Sequence, residues 1–287
     1  TILANVDLSG KDLSNTILVG ADLSNTILVG ADLSNTILAN VDLSGKDLSN
    51  TILANVDLSG KDLSNTILVG ADLSNTILAN VDLSGKDLSN TILVGADLSN
   101  TILVGADLSN TILANVDLSG KDLSNSNFSG STLTNVKLIK VDGSNSDFSS
   151  TVMTNVEMTQ SNFSSTNFSS TVMTNVEMTQ SNFSSTNFSN STILNLKSVG
   201  TIMSNSDFSY SQILDSNIKG SHLDHSDLSH MKFNNSNLFG VNMSNSKMNS
   251  TMMESTNIKN TNFEHTILDN SKFVNITMNC INHVICE

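Results

Sequence analysis

The chain contains no Pro, no Trp and no Arg; all 13 of its basic residues are Lys. Without Arg it lacks the planar fork that grips phosphate and guanine, and a net charge of −14 repels a polyanion, which argues against direct nucleic-acid binding. No stretch approaches the roughly 18 apolar residues of a spanning helix, so nothing in the sequence reads as a membrane span. Cysteine occurs only twice, at Cys280 and Cys286. The opening residues carry neither an initiator Met nor a charged-then-apolar leader, which reads as a processed form or a fragment and assigns no compartment. With no proline available, the corners of any fold fall to Ser, Asn, Gly and Thr.

What is present is a period. Counting in fives from Thr1 to Cys280, the third residue of each pentad is Leu, Ile, Met or Phe, and only Gly143 and Ser198 break the count. An α-helix would scatter residues spaced by five around every face, and a plain strand needs period two. In units such as ADLSN (21–25), VDLSG (6–10) and KDLSN (11–15), positions one and three can point inward and position two outward. Positions four and five suit a corner, so each pentad is one short side plus a turn and four sides close a square of 20 residues. Residues 151–170 recur at 171–190 with one change, Ser170 to Asn190, as duplication of a whole coil should give. Such a copy sets Met153 over Met173, Met158 over Met178, Phe163 over Phe183 and Phe168 over Phe188.

These units resemble the pentapeptide-repeat family, whose motif A(D/N)LXX is matched letter for letter by ADLSN at 21–25, 31–35, 71–75, 96–100 and 106–110. The resemblance covers residues 1–280 and implies an all-β fold, a right-handed quadrilateral parallel β-helix of about 14 coils. At ~4.8 Å per coil the rod would be roughly 67 Å long, and a solenoid of this kind grows without splitting into domains. Three segments are expected within it. Residues 1–125 consist only of TILANVDLSGKDLSN and TILVGADLSN blocks, residues 126–280 hold diverged pentads that continue the same solenoid, and 281–287 form a tail or cap.

A block of 15 does not fit evenly into a 20-residue coil, so with blocks of 10 and 15 mixed Ile2, Ile17, Ile27, Ile37 and Ile52 drift between faces. The first half therefore reads as a spacer, and a recognition surface is expected from residue 126 onward. The chain also starts in mid-repeat at Thr1, which is expected to leave an open first coil that a partner or further repeats would cover.

Several side chains invite a chemical reading. Asp22, Asp42, Asp62 and Asp82 fall on one outward column and could recruit a divalent cation through oxygen ligands; a solvated acidic face is the plainer expectation. Cys280, His283 and Cys286 supply three potential metal ligands in a spacing that matches no common zinc arrangement, and a free-thiol or disulfide-bonded cap is favoured, with Ile281, Val284 and Ile285 folding over the last coil. Lys11, Lys46, Lys61, Lys86 and Lys121 occupy the inward position one, so either their amines emerge along the wall or the side tilts open. His222, His225, His230 and His265 read as exposed polar residues, and the N-x-S/T matches at Asn162, Asn167, Asn182 and Asn187 follow from the repeat itself. Thinning or a bulge is expected at Gly143 and Ser198.

No activated nucleophile, cofactor motif or strong metal set emerges, so the sequence points to a non-enzymatic structural or protein-interaction solenoid without cofactor, with end-to-end stacking into a larger assembly or filament as one expected arrangement. The resemblance implies two further roles: an acidic DNA-mimic rod acting on a type II topoisomerase, and a bacterial effector that binds a host protein. For the former, fifteen Asp and five Lys give residues 1–125 a net of −10 over about 30 Å. B-DNA carries about 18 charges in that length.

Overall fold

The computed structural model of the protein describes residues 2–277, 279–283 and 286. Among the described residues there is no α-helix, and the pairing is parallel between pentads 20 residues apart. Each coil thus has four faces. Face A carries Ile2 and Asp22 at its outward positions, face B Asp7 and Ile27, face C Asp12 and Asp32, and face D Ile17 and Ile37. On face C the pairing broadens into a nine-stranded parallel sheet in chain order. Its strands are β1 (Ile112–Ala114), β2 (Thr132–Thr134), β3 (Val152–Thr154), β4 (Val172–Thr174), β5 (Thr192–Leu194), β6 (Gln212–Leu214), β7 (Lys232–Asn234), β8 (Met252–Glu254) and β9 (Lys272–Val274). The strands span eight turns, from residue 112 to 272 in steps of 20, fewer than the coils expected. Single bridges carry the same register back to Ile2.

The backbone polar groups of a pentad can be followed one by one, as burial requires. In 31–35, Ala31 N–H closes the corner on Leu28 O (2.9 Å) and Asp32 N–H donates to Lys11 O in the preceding coil (2.9 Å). Leu33 and Asn35 N–H donate forward to Ile52 O (2.7 Å) and Ala54 O (2.9 Å). The last donor, Ser34 N–H, goes to the Asp32 carboxylate at 2.9 Å. Position five sits in the left-handed region, φ 55° at Asn35, where Asn and Gly are tolerated best. Inward hydroxyls at position one find carbonyls: Thr26 Oγ1 donates to Leu3 O at 2.9 Å, and Ser126 Oγ to Leu103 O at 2.9 Å.

The core is a column of position-three side chains. In the second half like does stack on like: Met153 pairs with Met173, and Phe128, Phe148, Phe168, Phe188 and Phe208 form one stack with centroids 4.5, 5.1, 5.2 and 4.6 Å apart. Neither expected defect bulges. At Gly143 the pairing Asp142↔Asn162 is intact, and the Phe163 ring occupies the space that a Cβ would need. Ser198 keeps its bond to Asn217 O (2.8 Å) and is fully buried; its hydroxyl has no partner. A larger neighbour, not a thinner wall, accommodates the missing side chain at Gly143.

The first half is less regular. Among the described residues, no backbone bond joins Leu23 to Asp42, Leu43 to Asp62, Leu63 to Asp82 or Leu103 to Asp122 on face A. The same holds for Leu28 to Asp47 and Leu68 to Asp87 on face B, and for Leu38 to Asp57 and Leu98 to Asp117 on face D. Every upper pentad in these gaps begins with Val or Lys, whereas those beginning with Ala, Thr or Ser pair normally. Within residues 1–125 the gaps follow bulk at position one, but Val136 and Val141, over the pentads of Leu118 and Leu123, keep their pairing, so bulk there does not by itself part the coils. Face C escapes, because beyond its first coil none of its pentads begins with Val or Lys. Its bonds run unbroken through Leu13, Leu33, Leu53, Leu73 and Leu93 into β1, making face C the spine of the rod.

At the far end the count slips: Asn262 pairs with Ile281, one residue short of the 20-residue step. Cys280 is the buried residue there, and Ile281, expected to cover the core, is exposed. The expected contacts of Val284 and Ile285 lie outside the described residues.

Candidate functional site

Among the described residues, face C carries the one apolar surface that is continuous over several coils. Its outward position two presents Ile92, Ile112, Thr132, Val152, Val172 and Thr192, and position four Val94, Ala114, Thr134, Thr154, Thr174 and Leu194. Alternation along each strand turns positions two and four out and position three in. Ile112, Val152 and Val172 are 43%, 44% and 45% exposed, high for β-branched residues on a regular sheet. No charged residue stands on this face from Thr91 to Leu214, while face D carries Asp117, Lys137, Glu157 and Glu177 over the same coils and face B carries Asp107 and Asp147.

One edge of the face is fixed by an amide ladder. Asn135 Nδ2 donates to Asn115 Oδ1 (3.0 Å), Asn155 to Asn135 (3.0 Å), Asn175 to Asn155 (2.9 Å) and Asn195 to Asn175 (2.7 Å). Each link ties consecutive corners together and suits a flat sheet. The drift of Ile residues between faces hid this surface. Reading every twentieth residue from Ile92 would have found it, and it begins earlier than the residue 126 expected.

The acidic column stands where the sequence placed it, but its oxygens are engaged. Ser44 donates to the Asp42 carboxylate through Oγ (2.7 Å) and N–H (2.9 Å), and the N–H groups of Ser24, Ser64 and Ser84 do the same for Asp22, Asp62 and Asp82. These serine bonds hold all four carboxyls below the ordinary value of 3.8. Along the open seam of faces D and A runs a groove of about 580 Å³ lined by Ile37, Asp42, Asp57, Lys61 and Asp62. Lys61 Nζ donates to Val41 O and Lys121 Nζ to Thr101 O, both at 3.1 Å. At Lys61 and Lys121 the side opens, the second of the two expectations, and the amine turns to a carbonyl in the gap instead of emerging along the wall. Burial pushes both amines below the usual lysine value, against the pull of Asp57 and Asp117.

Cys280 and Cys286 are joined by a disulfide, which takes both thiols out of the Cys280–His283–Cys286 ligand set. Among the described residues no group of three or more His, Cys, Asp or Glu is placed to hold a metal ion. His222 and His225 flank Asp224, with Nδ1 atoms 3.8 and 3.1 Å from its carboxylate, and Ser204 Oγ donates to it at 2.8 Å. Burial opposes ionisation of Asp224, but the bonds from Ser204 and His225 hold its carboxyl low. His230 stacks on Tyr210 at 4.5 Å, on a different corner. The Ser204 hydroxyl thus points to the Asp224 carboxylate and not to an imidazole.

The pentapeptide-repeat pattern matches in eight copies over residues 2–35, 37–68, 57–93, 91–130, 126–164, 161–193 and 215–254. Among solved structures, HetL of Nostoc sp. strain PCC 7120, a pentapeptide repeat protein involved in heterocyst differentiation regulation, is similar at 22% identity. That match covers 74% of this chain and 89% of HetL, with a TM-score of 0.41. QnrB1, a plasmid-mediated fluoroquinolone resistance protein, is similar at 17% identity over 77% of this chain and 88% of its own, TM-score 0.30. A thylakoid-lumen pentapeptide repeat protein of Arabidopsis thaliana is similar at 28% identity over 37% of this chain and 68% of its own, TM-score 0.17. No curated protein matches the chain.

Proposed function

This chain belongs to the pentapeptide-repeat family, and from that premise we propose that it is a non-enzymatic interaction rod that presents its contact surface on face C from Ile92 onward, with the repeats before it acting as a spacer. The observation that carries the reading is face C: an uncharged sheet of Ile, Val and Thr on a chain of net charge −14. Exposed β-branched residues in a regular, fixed array cost solubility and are the mark of a surface that another protein covers. The first half repeats two blocks without substitution and carries its charge on every face, which suits a soluble spacer and not a bespoke site.

The test compares the intact chain with two variants as bait in an extract of its source. Val152→Lys/Val172→Lys should abolish capture of a specific protein, and Asp62→Lys in the spacer should leave it unchanged. Equal capture by all three baits would reject face C as the contact surface.

A further inference from the structure

We propose that the rod carries a hinge between residues 21–40 and 41–60, with the strand pairing of face C as its line and the opposite face A as the side that opens. The proposal stands on the backbone pairing and holds whether or not another protein covers face C.

In a solenoid each coil touches only its neighbours, so the stiffness of a boundary is set by the bonds that cross that boundary. A fully paired face has three backbone bonds. On face C these are Leu33 N–H to Ile52 O (2.7 Å), Asn35 N–H to Ala54 O (2.9 Å) and Ile52 N–H to Ala31 O (3.0 Å). Among the described residues, none of the three forms between 21–25 and 41–45 on face A, or between 36–40 and 56–60 on face D. Face B keeps only its corner bond, Gly30 N–H to Ser49 O (2.9 Å). Side chains add nothing here, whereas Thr36 Oγ1 donates to Leu13 O across the boundary before and Thr66 Oγ1 to Leu43 O across the one after, both at 3.1 Å. At every other boundary of the first half at least two faces stay fully paired.

What remains across the boundary is apolar contact. Leu23, Leu28 and Leu38 on one side and Leu43, Leu48 and Leu58 on the other are buried. Such contact is non-directional, so it resists separation and yields to tilt. A tilt needs an axis, and the one fully bonded link is face C. Face A lies across the coil from it, so a small rotation about face C moves face A most. The groove of about 580 Å³ runs along the face D gap, with Ile37 and Leu38 on one lip and Asp57 and Gly60 on the other. Bending about this line makes face C concave and tips the coils before the hinge toward the side on which Ile92 begins the contact surface.

Distance distributions between paired nitroxide labels test the proposal, with each pair five coil steps apart (100 residues in steps of 20), about 24 Å. Asp22→Cys/Asp122→Cys spans the boundary on face A, and Asp42→Cys/Asp142→Cys spans five steps of the same face beyond it. Asp32→Cys/Thr132→Cys spans the boundary on face C. All six side chains stand at the outward position two, away from the Leu core, and Cys280 and Cys286 are held in their disulfide. The expected result is a face A distribution across the boundary roughly twice as wide as that of the control pair or wider, and a face C distribution as narrow as the control. Equal widths for the two face A pairs overturn the hinge, and an equally broad face C pair replaces it with stretching of the whole boundary. In the unlabelled chain the Leu38 amide should exchange about tenfold faster or more than the Leu58 amide, which donates to Ile77 O at 2.8 Å. Equal protection of these two amides also overturns the hinge. Extract capture is read separately, so the hinge and the contact surface fail independently.

Discussion

The two halves of the rod share one pentad frame and one 20-residue coil, yet only the second is fully paired. In 151–190 the duplicated unit is 20 residues long, so Val, Met and Phe fall over Val, Met and Phe and each column is uniform. In the first half the units are 15 and 10 residues long, so Lys61 lies over Val41 and Lys46 over Thr26, and the walls part at those places. Perfect repetition in sequence therefore does not give perfect packing. What counts is whether the repeat length divides evenly into the coil, because a residue contacts the one 20 positions away and not its counterpart in the next block.

Breaking the uniform column should have the largest effect. Phe168 stacks between Phe148 and Phe188 with interplanar angles of 17° and 7° and has no exposed surface. Phe168→Ala removes a buried ring from a stack that cannot collapse without bending the sheet, and should cost about 3–5 kcal/mol in a urea unfolding series. A cost below about 1 kcal/mol would mean that the second half gains little from its like-on-like core.

A subtler test uses the repetition itself. Leu23 and Leu33 sit in identical ADLSN pentads, yet Leu33 N–H donates to Ile52 O at 2.7 Å and Leu23 has no backbone acceptor. Leu23 N–H should exchange with solvent about tenfold faster or more, the equivalent of about 1.4 kcal/mol in local opening. Equal protection at the two amides would close the seams and erase the difference between the halves. Along face C, protection should stay uniform from Leu13 to Leu93.

The fold was legible almost entirely, because one position in five decides it and that position is read without knowing any contact. At Gly143 the expected thinning does not occur because the ring of Phe163, one coil on, turns into the space that the missing side chain leaves, and spacing alone does not give a ring's orientation. The candidate surface was hidden for the same reason: Ile112, Val152 and Val172 are unremarkable one at a time and form a column only when the sequence is folded into rows of 20. The seams fall at pentads that begin with Lys or Val, which were visible, but Val136 and Val141 pair normally, so position one alone does not tell which walls part. The disulfide between Cys280 and Cys286 was one of two open alternatives, since spacing alone does not bring two sulfurs together.

The smallest expected effect concerns pH, and it separates the halves through the seams. The serine bonds at Asp22, Asp42, Asp62 and Asp82 lower these carboxyls in the folded chain, so the unfolded chain binds protons more readily. Their contribution is complete above the ordinary value of 3.8 and is lost as pH falls through the lower native values. Burial lowers Lys61 and Lys121 from 10.5, and here too the unfolded chain holds the proton longer, so stability rises as pH climbs through the depressed native values. Both signs give a first half that loosens in acid and tightens in alkali. On the acid side, protection of the Leu33 amide, beside the seams, should therefore fall only when the pH drops below 3.8. Ser44→Ala, which removes the 2.7 Å bond to Asp42, should move the onset of loosening toward higher pH at that coil. Loosening that begins near neutral pH, or an onset unmoved by Ser44→Ala, would detach the acidic column from the stability of the spacer.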